Sequence, residues 1–266
     1  MTEFVLDGAR FALRRLANMV VIVGRITLLY AEMIVSVPAR FPWAQTIDQM
    51  DRIGVGSLGL VFVVSLFTGG VAALQAAYQF SSVVPLKYIG AVILRSVIIE
   101  LGPVLTALVL AGRVGAGITA ELGTMKVTEQ VDAMRAMGIN PVRFLVAPRI
   151  IAGTLMLPIV TIFANMIAIF GGFMVAVGVV GVSSATYVNS LKDFFYVKDL
   201  ISGLIKAVFF GNIIATMGCY FGFTTEGGAE GVGTATTRAV VSACVLILIV
   251  DYLLATVLFR VIFTES

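Results

Sequence analysis

The sequence predicts an all-α polytopic membrane protein. It has five transmembrane helices, an N-terminal amphipathic, interfacial helical segment ahead of them, and a short cytosolic helix between the second and third. Three observations carry this prediction. Of 266 residues, 59% are hydrophobic and 12% charged, with a mean hydropathy of +1.05, whereas a soluble domain carries about a quarter charged residues. No charged residue occurs between Arg52 and Lys87, or between Arg149 and Lys192. Five apolar runs each reach the roughly 20 residues that a helix needs to cross a hydrocarbon core.

The chain divides at residue 52 into an interfacial N-terminal part, 1–52, and a five-helix part, 53–266. Residues 1–15 set Arg10, Arg14 and Arg15 among Phe4, Leu6, Phe11 and Leu13, a basic amphipathic start suited to an anionic membrane surface. Leu16 to Val37 is long enough to span, but it holds Arg25 and Glu32. Each such charge costs about 2.5–3.5 kcal/mol at a helix centre on insertion scales, so an in-plane or partly inserted helix is favoured. Pro38 and Pro42 end it, and Trp43 suits an interface. No short apolar core with a small-residue cleavage site opens the chain, so no removable signal peptide is expected.

The spans are predicted at about 53–77, 88–112, 150–180, 200–222 and 239–259. Counting basic residues outside them orients the chain. With the N-terminus cytosolic, the inside set is Arg10, Arg14, Arg15, Arg25, Arg40, Arg52, Arg113, Lys126, Arg135, Arg143, Arg149 and Arg238, twelve against Lys87, Lys192, Lys198 and Arg260 outside. Making 16–37 a sixth span reduces the balance to eight against seven, so five spans and an outer C-terminus are expected. The outer loop Gly181–Asp199, rich in aromatics, is then placed to lie along the bilayer or meet an extracytoplasmic partner.

Between spans two and three, Val127, Val131 and Met134 recur at i, i+4 and i+7 while Lys126, Glu129, Asp132 and Arg135 take other faces. The pattern predicts an amphipathic helix over about 121–138, closed by Gly138 as a left-handed C′ residue and stopped by Asn140-Pro141. Three turns cannot cross a bilayer. The piece is a solvated connector or a docking helix for a soluble partner, its apolar stripe the docking surface.

Four ionisable residues sit at membrane depth: Arg95, Glu100, Lys206 and Asp251. At 1.5 Å per residue from the outer end, Lys206 lies about 9 Å deep, Asp251 about 12 Å and Glu100 about 18 Å. Lys206 and Asp251, on antiparallel neighbours, are expected to pair, and Arg95 is near enough to the surface to snorkel. The group either braces helices or forms a polar patch in an apolar outward cavity. Gly102-Pro103 is expected to kink span two and Pro158 to bend span three. Gly112, Gly115, Gly117, Gly171 and Gly172 are expected at close helix crossings.

Several functions are excluded. No basic face interleaved with aromatics exists for nucleic acid. The chain has no histidine, and its two cysteines, Cys219 and Cys244, lie in apolar runs without CxxC spacing, which leaves no metal site and little for an intramembrane enzyme. Residues 222–238 are glycine-rich but lack the phosphate-loop pattern, so no nucleotide site is expected.

The blocks ELGPV at 100–104, AGRVGAGITAELGTMKVTEQVDAM at 111–134, PVRFLVAPR at 141–149 and TTEGGAEGVGTATTRAVV at 224–241 resemble the MlaE/YrbE-type permeases of MCE lipid-transport systems, ABC-transporter membrane subunits. Many members carry Arg before the ELGP glutamate, where this chain has Ile99. The resemblance implies a non-catalytic permease of the bacterial inner membrane, working as a homodimer and carrying phospholipid or a related lipid to or from an outer MCE-domain protein. It implies ATP and Mg on a separate ATP-binding subunit, with a small STAS-type accessory protein among the candidate partners. It also assigns a coupling helix, comprising Glu121, Lys126, Glu129, Val131, Asp132, Met134 and Arg135, and a lipid cavity with Glu100, Lys206 and Asp251. The competing reading from buried charge alone is an ion-coupled secondary transporter using the same three residues.

Overall fold

A computed structural model describes residues 21, 23–35, 41–80 and 85–262, and among them there is no strand. Residues 1–20, which hold the basic amphipathic start, and 36–40, with Pro38 and Arg40, lie outside the described residues. The first helix, α1, covers 23–35. It turns Ile26, Leu29, Tyr30 and Met33, an i, i+3, i+4, i+7 stripe, onto the main core and leaves Arg25 exposed. Tyr30 fixes it through its hydroxyl, which donates to Asn212 Oδ1 at 2.5 Å and lies 2.6 Å from Thr216 Oγ1.

Next come α2 (Trp43–Ile53) and α3 (Leu58–Phe80), separated by a single 3₁₀ turn, Val55–Ser57. The second crossing is one rod built from α4 (Ile89–Ser96), α5 (Gly102–Leu110) and α6 (Ala116–Val127), joined by wide π turns at Val97–Leu101 and Ala111–Gly115. A short α7 (Gln130–Ala136) follows, then a π turn, Val142–Val146, that enters α8 (Ala147–Gly178). Outside the bundle lies α9 (Ser184–Asp193), and α10 (Val197–Phe223) and α11 (Gly228–Ile262) complete the chain. Five stretches are long and apolar enough to cross a membrane: Trp43–Gln79, Leu86–Val127, Val142–Gly178, Val197–Phe223 and Gly228–Arg260. All five expected spans are present, and each is longer than expected because its ends carry polar residues that hydropathy discounts and helical hydrogen bonding does not.

Small residues set the helix spacing. A Cβ on Gly69 would stand 1.7 Å from Ala168 O, and one on Gly171 would stand 2.2 Å from Leu66 O, so α3 and α8 cross backbone to backbone. Gly153 and Gly211 do the same for α8 and α10, where a Cβ on Gly211 would meet Gly153 O at 2.2 Å. Two of the glycines expected at crossings are not there, since Cβ atoms on Gly112 and Gly117 would meet nothing within 4 Å. They lie on the open side of the rod, where spacing along one helix does not reveal which face a neighbour takes.

The loop 181–199 holds a helix of its own. Ser183 caps α9, accepting from Thr186 N at 3.2 Å, and Tyr187 is buried against Phe173, edge-on at 5.5 Å, and donates to Ile169 O at 3.1 Å. Burial pushes its phenol up to about 12. Ser190 Oγ accepts from Ala91 N at 2.9 Å, which ties α9 to the start of the rod.

Candidate functional site

Lys206 on α10 carries the centre of the buried charge. Its side chain is 1% exposed, and its Nζ lies 2.5 Å from Glu100 Oε2 and 2.9 Å from Asp251 Oδ1 on α11. The Glu100 contact is a hydrogen bond, whereas the Asp251 contact is close in distance but poorly aligned. The expected Lys206–Asp251 pair is therefore one arm of a three-residue cluster. Backbone geometry brings in the third member. A Cβ on Gly203 would fall 2.2 Å from Ile98 O, so α10 rides directly on the π turn that holds Glu100, and Lys206, about one turn further on, reaches its carboxylate. An unpaired lysine here would cost several kcal/mol, and two carboxylates give it more negative charge than it needs.

The unequal exposure of the cluster decides which member can meet a ligand. Asp251 is 14% exposed and Glu100 is 43% exposed. Next to Glu100 in sequence, Leu101 joins Leu105 and the Val63–Gln75 face of α3 in an apolar groove of about 560 Å³. Leu101 lines this groove, whereas Glu100, one residue before it, presents its half-exposed carboxylate outside the groove's lining. Arg95 does not end free at the surface: its Nε donates to Asp199 Oδ2 at 3.0 Å, and Asp199 is buried. Sequence reasoning had left Asp199 in the outer loop, but α10 begins at Val197 and takes Asp199 into its first turn, where a carboxylate suits the helix N-terminus.

At the other end of the rod the polar helix expected over 121–138 is two pieces. Residues 121–127 finish α6, the chain breaks at Thr128–Glu129, where Glu129 takes a left-handed φ of 60°, and α7 spans Gln130–Ala136. Gly138 does close α7, with φ 74°, Gly138 N donating to Arg135 O at 3.0 Å and Ile139 N to Met134 O at 2.9 Å. Asn140 Oδ1 accepts from Val142 N at 2.8 Å and so starts the next helix. The apolar stripe is turned inward: Val131 is fully buried within this chain and Met134 partly so, which makes the stripe the elbow's anchor. The open face carries Glu129, Asp132, Arg135 and Met137, the last 67% exposed. Lys126 Nζ donates to Asp132 Oδ2 at 2.8 Å and holds its carboxyl below the usual range, with Arg135 3.4 Å from the other oxygen. Glu121 faces away from this surface, paired with the buried Arg149 at 2.8 Å.

Among the described residues no group of His, Cys, Asp and Glu could hold a metal. The model of the family Permease MlaE matches residues 46–257. A probable ABC transporter permease protein of Rickettsia typhi is 43% identical over 213 residues, 80% of this chain and 82% of that one. One of Synechocystis sp. is 40% identical over 215 residues, 81% and 82% of the two chains. The Arabidopsis thaliana chloroplastic protein Trigalactosyldiacylglycerol 1 is 37% identical over 218 residues, 82% of this chain and 62% of that one. The family match spans both the charge cluster and the elbow, and this multi-pass membrane chain belongs to the MlaE permease family.

Proposed function

We propose that the chain is the membrane subunit of an ABC transporter that moves phospholipid, or a related lipid, between the bacterial inner membrane and an extracytoplasmic MCE-domain protein. ATP hydrolysis on a separate subunit drives it. The observation that carries this reading is the single rod Leu86–Val127, which bears Glu100 of the charge cluster and the groove-lining Leu101 and Leu105, and ends at the exposed elbow α7. Glu100 and Val127 stand roughly 40 Å apart along that rod, so a push transmitted from the elbow to the end of α6 is a displacement at the charge cluster. The names of the relatives support an ABC permease, and the Arabidopsis relative, named for a galactolipid, supports a lipid cargo. They do not favour the ion-coupled alternative.

Two copies are needed because each elbow serves one ATP-binding subunit and ABC motors work as ATPase pairs. The groove beside Glu100 takes the acyl part of the lipid, and Glu100, Lys206 and Asp251 meet its polar end. ATP closure moves the elbows and reshapes the space between the copies. The test is lipid transfer in proteoliposomes holding the complete complex. Arg135→Glu with Met137→Asp, both on the open face of α7, should remove the ATP-binding subunit and ATP-driven transfer while the permease stays folded. Undiminished transfer without ATP, driven by an ion gradient, would establish the secondary transporter instead.

A further inference from the structure

A second site stands apart from the charge cluster, at the elbow end of the bundle. A cleft of about 530 Å³ opens between α2 and the rod, with Gln49 and Arg52 on one wall and Arg113, Gly117 and Glu121 on the other. Arg113 is fixed there. Its Nη1 donates to Ser57 Oγ at 2.6 Å and lies 3.4 Å from Arg52 O, and its Nη2 lies over the bare backbone of Gly56, 3.0 Å from where a Cβ would stand. Ser57 is wholly buried and is itself committed, donating to Ile53 O at 2.6 Å. The remaining guanidinium hydrogens of this exposed arginine take no part in these bonds, and no carboxylate among the described residues pairs with it.

The other charges at the cleft are already spent on one another. Glu121 is paired with Arg149 at 2.8 Å and touches Arg52 at 3.8 Å, and Arg52 is bonded to Asp48 at 2.9 Å. Three arginines against two carboxylates leave one positive charge, and it belongs to Arg113. A guanidinium held by a buried hydroxyl, with donors free and a cleft in front of it, is preorganised for an oxyanion. The cleft adjoins the amphipathic α2, whose Trp43 and Ile47 are exposed, so its mouth lies where lipid head groups are.

We propose that this cleft seats the phosphate of an anionic phospholipid of the cytosolic leaflet, with Arg113 as its principal donor. The ligand grips α2 and the rod together at the base of the elbow and so biases the same element that the ATP-binding subunit moves. The site is separate from the groove beside Glu100. The assignment to the cytosolic leaflet rests on the orientation proposed above, whereas the binding itself is independent of transport and is tested without it.

Trp43 is the one tryptophan of the chain and begins the helix that forms one wall. Full-length protein in phosphatidylcholine vesicles therefore reports bound lipid through quenching by brominated phosphatidylglycerol or brominated phosphatidylcholine. Wild type should prefer phosphatidylglycerol about tenfold at low salt, the discrimination of one charge-assisted contact, and less at high salt. Arg113→Gln should bring the preference to near parity and Arg113→Lys should retain part of it. Gly117→Leu gives a separate check, because a Cβ there meets nothing within 4 Å and Gly117 lines the cleft, so the variant should fold normally and lose the preference. Parity in the wild type, or full preference in both Arg113→Gln and Gly117→Leu, overturns the site. Relief of quenching by inorganic phosphate identifies a free-anion site instead. Retained lipid preference with loss of the co-purifying ATP-binding subunit in Arg113→Gln identifies a protein carboxylate as the occupant, which also refutes the proposal.

Discussion

Lys206 faces two carboxylates, and the contacts are unequal: a hydrogen bond to Glu100 and a poorly aligned ion pair with the more buried Asp251. Removing the lysine strands both acids, while removing Asp251 leaves Lys206 still bonded. Lys206→Met should therefore lower stability by about 3–5 kcal/mol, the cost typical of breaking a buried pair, and Asp251→Leu by clearly less. Thermal melts in detergent check the order, and equal losses would show that Glu100 does not hold the lysine. The residues of this cluster were legible in sequence, because charge at membrane depth is rare and a rise of 1.5 Å per residue puts all three in the outer half of the bundle. The Lys206–Asp251 arm was legible as well, but the Glu100 arm was not, since it depends on a π turn and on α10 approaching to backbone distance at Gly203, and neither leaves a local pattern. Arg95–Asp199 was missed for a related reason: the aromatic, polar start of α10 reads as loop.

At the scale of elements, glycines divide into those at crossings and those in the open, and sequence spacing does not separate them. Gly171→Leu should prevent α3 and α8 from meeting and abolish folded yield, while Gly112→Ala should be neutral or stabilising by about 0.5–1 kcal/mol, as expected for an exposed helix interior. Detergent-resistant size-exclusion profiles decide the matter. The elbow gives a further test. Its end at Gly138 was legible because only a left-handed residue closes a helix in this way, but its break at Glu129 was not, since a glutamate carries no signal for φ 60°. The inward turn of Val131 was equally hidden, because an amphipathic stripe looks the same whether it meets its own bundle or a partner. Lys126 holds Asp132 below its ordinary pKa, so the contribution of this pair is present above the unfolded value and is lost as pH falls through the folded one. Hydrogen exchange of α7 amides, corrected for intrinsic rate, should rise as pH is lowered in the wild type and be less pH-dependent in Asp132→Asn.

For the whole molecule, the five candidate spans among the described residues predict an odd number of passes, and the distribution of basic residues predicts which end is inside. Arg113, Lys126, Arg135, Arg143 and Arg149 all gather around the elbow. The opposite end holds Lys87, Lys192 and Lys198, together with the cap made by α9. Exposed positions are available at both extremes, with Thr128 at the break before α7 and Asn189 on α9. A single cysteine at either place, in a chain whose Cys219 and Cys244 are replaced by alanine, should react with a membrane-impermeant maleimide from one side only. Thr128→Cys should be labelled only in inverted vesicles or after permeabilisation, and Asn189→Cys in intact cells. The charge cluster lies toward the α9 end and the Arg113 cleft toward the elbow end, so one labelling experiment orients both sites. Labelling of both cysteines from the same side would require an even number of crossings between them, and would refute the order α6, α7, α8, α9 as a single return through the membrane.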